Sequence, residues 1–179
     1  MAKRKPRLSL DVGRTITRRD PWELSARGSL WVPGALTAVR ALVRIFRGQV
    51  WLISKCGEET ARRVEDRLQE HGFFKNVGLD PVQLEFCLTH EGKADIARRR
   101  EINIHLDDSP AVIEALRGAV AARILFCPED TQLSRFPRLQ EEIGKGEVLV
   151  VWSWREARLR ISEARQDLLN KHRRHTVRR

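Results

Sequence analysis

The 179-residue sequence is poor in the features that would put it in a membrane, a disulfide framework or a zinc site. No stretch approaches the roughly 20 consecutive apolar residues that a membrane-spanning helix needs, so no membrane partner is expected. Cysteine occurs three times, as Cys56, Cys87 and Cys127, far apart and outside any CxxC spacing. An odd count in that arrangement argues against disulfides and zinc alike, and free thiols are the expectation. His71, His90, His105, His172 and His175 form no HxxxH or HExxH pattern and offer no metal site by spacing. The nucleotide-binding glycine fingerprints GxGxxG and GxxxxGK[ST] are missing, as are internal repeats and low-complexity blocks. The basic start Lys3-Arg4-Lys5-Pro6-Arg7 leads into an apolar stretch broken at once by Ser9 and Asp11. No signal peptide is read there, and a cytoplasmic location is expected.

What is present is a balance typical of soluble chains, 41% hydrophobic and 32% charged, in a length that suits one domain with a substantial core. The net charge of +10 is unevenly spread. Residues 1–7 hold four bases and residues 171–179 hold five, with no acid in either, so residues 8–170 keep 25 of the 34 bases against 24 acids. The reading is a basic N-terminal tail (1–7), a single domain (8–170) and a basic C-terminal tail (171–179). Such ends can hold nucleic acid by counterion release, and they are equally common as solubilising termini.

Strand and helix periods alternate along the body. Strands are read at Leu8 to Val12, Val50 to Ile53, Leu84 to Leu88, Ile102 to Leu106, Ala122 to Phe126 and Val148 to Trp152. Val50-Trp51-Leu52-Ile53 is a continuous apolar run, as in a parallel strand buried on both faces. Helices are read from Pro33, with Leu36, Val39, Val43 and Phe46 on one face, and from Glu58 to His71-Gly72. Further helices are read at Ala94 to Arg100, after Ser109-Pro110, and from Ser153 to Asn170. Alternation of this kind predicts a three-layer α/β sandwich with a central parallel sheet, whose ligands sit at the carboxyl ends of the strands.

Three polar groups fall at that edge. Asp11 closes the first strand, Ser54 the second, and Asp107-Asp108 follow a third. Singly, each has an ordinary reading: a turn aspartate, a helix-capping serine, and a Ser109-Pro110 helix start that needs no help from its neighbours. Together, converging carboxylates repel one another, and a hard cation with oxygen ligands relieves that repulsion, which points to magnesium. Lys93 opens a helix, where the macrodipole disfavours a cation. Its compensating anion is either Glu91 or a phosphate.

The order Asp11-x-Gly13-x-Thr15-Ile16, Ser54, Lys93, then Asp107-Asp108-Ser109-Pro110 resembles the four motifs of haloacid dehalogenase-like phosphohydrolases, over roughly residues 8–127. The resemblance implies a Rossmann-like fold and a phosphatase acting through an aspartyl-phosphate on Asp11. It implies that Ser54 and Lys93 hold the phosphate, and that Asp11, Asp108 and the Gly13 carbonyl bind Mg2+. Asp107 and Thr15 would support them. One position departs: Gly13 stands where the family carries its acid/base aspartate. Losing that group costs about a hundred- to ten-thousand-fold in proton transfer, roughly 3–5 kcal/mol, unless His105 or Asp107 replaces it. The alternative is a catalytically impaired domain that binds phosphorylated ligands or nucleic acid. The short spacing from Ile16 to Pro33 leaves no room for a large cap domain, only a flap from Thr17 to Val32 carrying Arg18, Arg19, Trp22, Arg27 and Trp31. An open site of this kind would admit a large phosphorylated substrate. The sequence leaves the oligomeric state open.

Overall fold

The computed structural model describes residues 5–18 and 30–177, with 172 and 175–177 through their backbone only. Six strands, β1 (Leu8–Leu10), β2 (Val50–Lys55), β3 (Leu84–Cys87), β4 (Ile104–Asp107), β5 (Ala122–Phe126) and β6 (Val148–Val151), form one sheet in the order β3-β2-β1-β4-β5-β6. Every pairing is parallel. Helices α1 (Ala35–Ile45), α2 (Glu58–Glu70), α3 (Phe73–Val77), α4 (His90–Arg99), α5 (Pro110–Ala115), α6 (Asp130–Leu133), α7 (Pro137–Gly144) and α8 (Trp154–Val177) connect and flank it.

The strand period sorts side chains onto two cores. Leu8 and Leu10 of β1, with Leu52, Leu106 and Phe126, pack under α1, α3 and α8. On the opposite face α4 and α5 cover Trp51, and α7 closes over Leu125 and Val148. Ser9 points to that second face, where it meets His105. With both faces covered, the expected three-layer sandwich is the one observed. Among the described residues nothing forms a cap domain, and no helix is long and apolar enough to cross a membrane.

Several element ends differ from the sequence reading. Pro33 does not open α1: Gly34, with φ of 83°, turns the chain first, and the helix begins at Ala35. A Cβ on Gly34 would lie 3.4 Å from the Cβ of Trp154, so this turn also brings α1 close to α8. Helix α4 begins at His90, four residues earlier than read, because Thr89 caps it by accepting a hydrogen bond from the Gly92 N–H at 3.0 Å. Helix α8 runs on past Asn170 to Val177. Helices α3, α6 and α7 are too short for apolar periodicity to reveal.

Of the expected flap, Arg19, Trp22 and Arg27 lie outside the described residues. Its base is pinned, since Thr17 pairs with Trp31 and the Val32 N–H donates to the Ile16 carbonyl at 2.9 Å. Trp31 packs against Phe73, with ring centroids 5.3 Å apart, and against the edge of His71.

Candidate active site

β1 and β4 are neighbours at the point where the strand order reverses, the position at which open α/β sheets bind ligands. Asp11 follows β1, Asp107 ends β4 and Asp108 comes next, so three carboxylates meet there. One oxygen from each lies within 4.8 Å of the others.

Lys93 enters this group from the first turn of α4. Its Nζ donates to Asp11 Oδ1 at 2.5 Å and to Asp107 Oδ2 at 2.7 Å. Only 2% of Lys93 is exposed, and an ammonium so removed from water persists only when paired. Gly92 makes this reach possible. A Cβ at that position would lie 2.8 Å from the Cβ of Cys87, so only glycine lets α4 start so close to the end of β3.

Asp107 is saturated with donors. Besides Lys93 it accepts from the Ser109 N–H at 3.0 Å and contacts His105 Nε2 at 3.0 Å, while His105 Nδ1 lies 2.6 Å from Ser9 Oγ. Burial pushes the His105 pKa down. The neutral ring therefore donates from Nε2 to the carboxylate and accepts from Ser9, a tautomer assigned from the network. Burial alone would raise Asp107, but Lys93 and His105 overcome it and hold the carboxyl down at about 2. Asp11 is raised to about 6 by burial, against the pull of Lys93. Asp108 is raised further, to about 8, by burial and by the charges of Asp11 and Asp107. Arg14, 3.7 Å away, and Lys93 pull it down without offsetting these. Lys93 is shifted upward: burial opposes its charge, and the two carboxylates outweigh burial. Fully ionised, the three carboxylates would outnumber Lys93 and Arg14, which with burial is why Asp108 holds its proton to so high a pH. An oxygen-rich, under-compensated group of this kind fits a hard divalent cation.

A cleft of about 290 Å3 opens above the cluster, and Asp11, Gly13, Ser54, Lys93, Asp107 and Asp108 all line it. The structure brings these six sequence-singled residues together. Thr15 is buried and does not line the cleft; its side chain helps to lower the Asp11 pKa, and its carbonyl accepts from Trp154 Nε1 at 2.8 Å. His105 lies behind Asp107, fully buried, and does not reach the cleft. Cleft residues that sequence reasoning missed are Arg14, Lys55, Cys56 and Thr60. Arg14 has φ of 58° and reaches Glu129 at 3.4 Å as well as Asp108. Thr60 lies in the first turn of α2, whose N-cap Gly57 supplies no side-chain acceptor and whose first turn carries the acids Glu58 and Glu59.

No family model matches the chain, and no curated protein matches it. Among solved structures it is similar to the D,D-heptose 1,7-bisphosphate phosphatase of B. bronchiseptica, complexed with magnesium and phosphate. That match has 14% identity, covers 88% of this chain and 98% of that one, and has a TM-score of 0.59. It is also similar to the cobalt-bound deoxy-D-mannose-octulosonate 8-phosphate phosphatase of Haemophilus influenzae, with 13% identity, 90% of each chain covered and a TM-score of 0.52. A third match, to DsGPDH of Dunaliella salina, has 22% identity over 68% of this chain, covers 24% of that chain, and has a TM-score of 0.48. Likeness to the two phosphatases over nearly whole chains shows the fold: this chain has a Rossmann-like α/β fold of the haloacid dehalogenase-like kind.

Proposed function

We propose that this chain is a magnesium-dependent phosphohydrolase acting on phosphoric monoesters through Asp11. The observation that carries the reading is the buried Lys93, bridging Asp11 and Asp107 beside a third, under-compensated carboxylate at the switch point of the sheet. In this reading Asp11 attacks phosphorus while Ser54 and Lys93 hold the phosphate oxygens. Asp107 positions Lys93. Magnesium, held by Asp11, Asp108 and the Gly13 carbonyl, supplies charge neutralisation for the phosphate. The relationship to a fold whose B. bronchiseptica member holds magnesium and phosphate supports this assignment.

Gly13 leaves the leaving-group oxygen without a carboxylic acid, and neither suggested substitute is placed to act. His105 is walled off behind Asp107, and Asp107 is held ionised by its donors. Turnover should therefore favour esters with good leaving groups. The cleft is open, which suits a large phosphorylated substrate. Gly13 also favours a second reading, a domain that binds phosphorylated ligands without turning them over.

A phosphate-release assay across phosphorylated metabolites, nucleotides and nucleic-acid ends, with and without magnesium, separates the two readings. Magnesium-stimulated release that Asp11→Asn abolishes supports the phosphohydrolase. Calorimetric magnesium binding should be lost in Asp108→Ala; identical titrations would overturn the metal assignment. Binding of phosphorylated ligands with no release from any of them would make the second reading the right one.

A further inference from the structure

We infer that the edge of the molecule opposite the cleft is a docking surface for the phosphate backbone of nucleic acid. All six strands are parallel and begin at that edge, and α1 and α8 return to it, so their C-terminal ends gather there. Arg165 of α8 lies over the ring of Phe46, the residue that ends α1, which places the last turns of α8 beside and beyond the end of α1. Lys171 lines a hollow with Ala121 and Gly146, at the starts of β5 and β6. Beyond it the helix continues to Val177 past the strand starts. Lys5 precedes β1 at the same edge, about 10 Å from β5 at two strand spacings.

Lys5 and the 171–174 stretch of α8, far apart in sequence, therefore lie on one side of the molecule. Arg44 and Arg47, at the end of α1, add to them. Lys5, Arg44, Arg47, Arg173 and Arg174 are all exposed, and none has an ion-pair partner among the described residues. A basic residue at a helix C-terminus is favoured by the helix dipole without an acid partner; what sets this edge apart is that two such helix ends and Lys5 are gathered there. The surplus suits a polyanion. A membrane surface would need an apolar helix face to insert, whereas residues 171–176 of α8, Lys-His-Arg-Arg-His-Thr, present none. The cleft lies about 20 Å away at the other ends of the strands, so a strand held here leaves the site open.

The test uses the full chain and fluorescence anisotropy with 20-base-pair DNA and RNA duplexes of several unrelated sequences, and co-sedimentation with phosphatidylserine vesicles. Arg44→Gln/Arg47→Gln/Arg173→Gln/Arg174→Gln is compared with Arg62→Gln/Arg63→Gln/Arg155→Gln/Arg158→Gln, which removes the same charge from other surfaces. The expected result is sequence-independent, salt-sensitive duplex binding. The edge variant should weaken it at least tenfold and reduce the slope of log K against log salt by about 2 to 4, with the control within about threefold of wild type. Arg173→Gln/Arg174→Gln alone, on the projecting end of α8, gives a smaller loss in the same direction and guards against misfolding of the quadruple variant. Equal losses in both quadruple variants would reduce the effect to net charge and overturn the assignment. Binding to vesicles but not to duplexes, or to neither, would also overturn it.

Discussion

Under the proposed function, Gly13→Asp supplies the carboxyl that the loop after β1 lacks. Gly13 does not adopt the left-handed conformation, and a Cβ built there meets nothing within 4 Å, so the substitution needs no rearrangement. The new side chain would enter the cleft two residues from Asp11. A well-placed general acid gives about a hundred- to ten-thousand-fold, but the open space that admits this one also leaves it without neighbours to fix its rotamer. We therefore expect the lower part of that range, about 10- to 100-fold in kcat/KM on alkyl phosphates, or roughly 1.4–2.8 kcal/mol of barrier. Aryl phosphates with good leaving groups should gain little, because they need no proton. The assay is phosphate release from a matched alkyl and aryl pair, at saturating magnesium, after thermal melting shows that the variant is folded. If both proteins hydrolyse the aryl ester and the folded variant gains nothing on the alkyl one, the proton comes from elsewhere and the account of Gly13 is wrong.

Three further outcomes follow from the charges. Asp108, raised to about 8, must lose its proton to bind magnesium; affinity should climb about tenfold per unit as pH rises toward 8, with proton release seen by calorimetry in buffers of different ionisation enthalpy. The same shift means that the metal-free fold loses stability as pH rises from the ordinary 3.8 through about 8, so a pH-independent melting curve over that window, or a pH-independent affinity, would count against it. Lys93→Met leaves Asp11 and Asp107 buried without their cation and should cost about 3–5 kcal/mol in denaturant melts, part of it recovered by magnesium; an unchanged midpoint would refute the bridging role. Glu142, buried and paired with Arg117 at 2.6 Å and Arg123 at 2.9 Å, is held below its ordinary value by these arginines against the opposing effect of burial. Glu142→Ala should destabilise by about 3 kcal/mol, and wild type should lose this contribution as pH falls through the depressed carboxyl pKa.

Much of this site was legible in the chain because its chemistry rides on strand ends. Asp11, Ser54 and Asp107 each follow an apolar run whose period is unmistakable, and a parallel sheet puts all such ends on one edge. Lys93 was legible as an anomaly, a cation in the first turn of a helix. What escaped depends on distances that no period encodes. Ser9 looks like a polar interruption of β1 until β4 brings His105 alongside it. Gly92 reads as a weak helix start, and its purpose lies in the approach to Cys87. Arg14 sits inside the motif, yet its left-handed backbone and its contact with Asp108 arise only when the loop closes. The ion group of Arg117, Arg123 and Glu142 joins three elements whose residues look like separate surface charges in sequence.

The hydrogen bond from Trp154 to the carbonyl of Thr15 spans 139 positions of the chain. The loop that carries Asp11 is thus synthesised well before the indole that contacts it. β1 likewise waits for β4 before it is paired on both sides. A polypeptide lacking α8 can assemble strands and keep the backbone pairings of the Asp11 loop, but it loses the contact from Trp154. The arrangement of the Asp11 loop is therefore completed only when α8 docks against it.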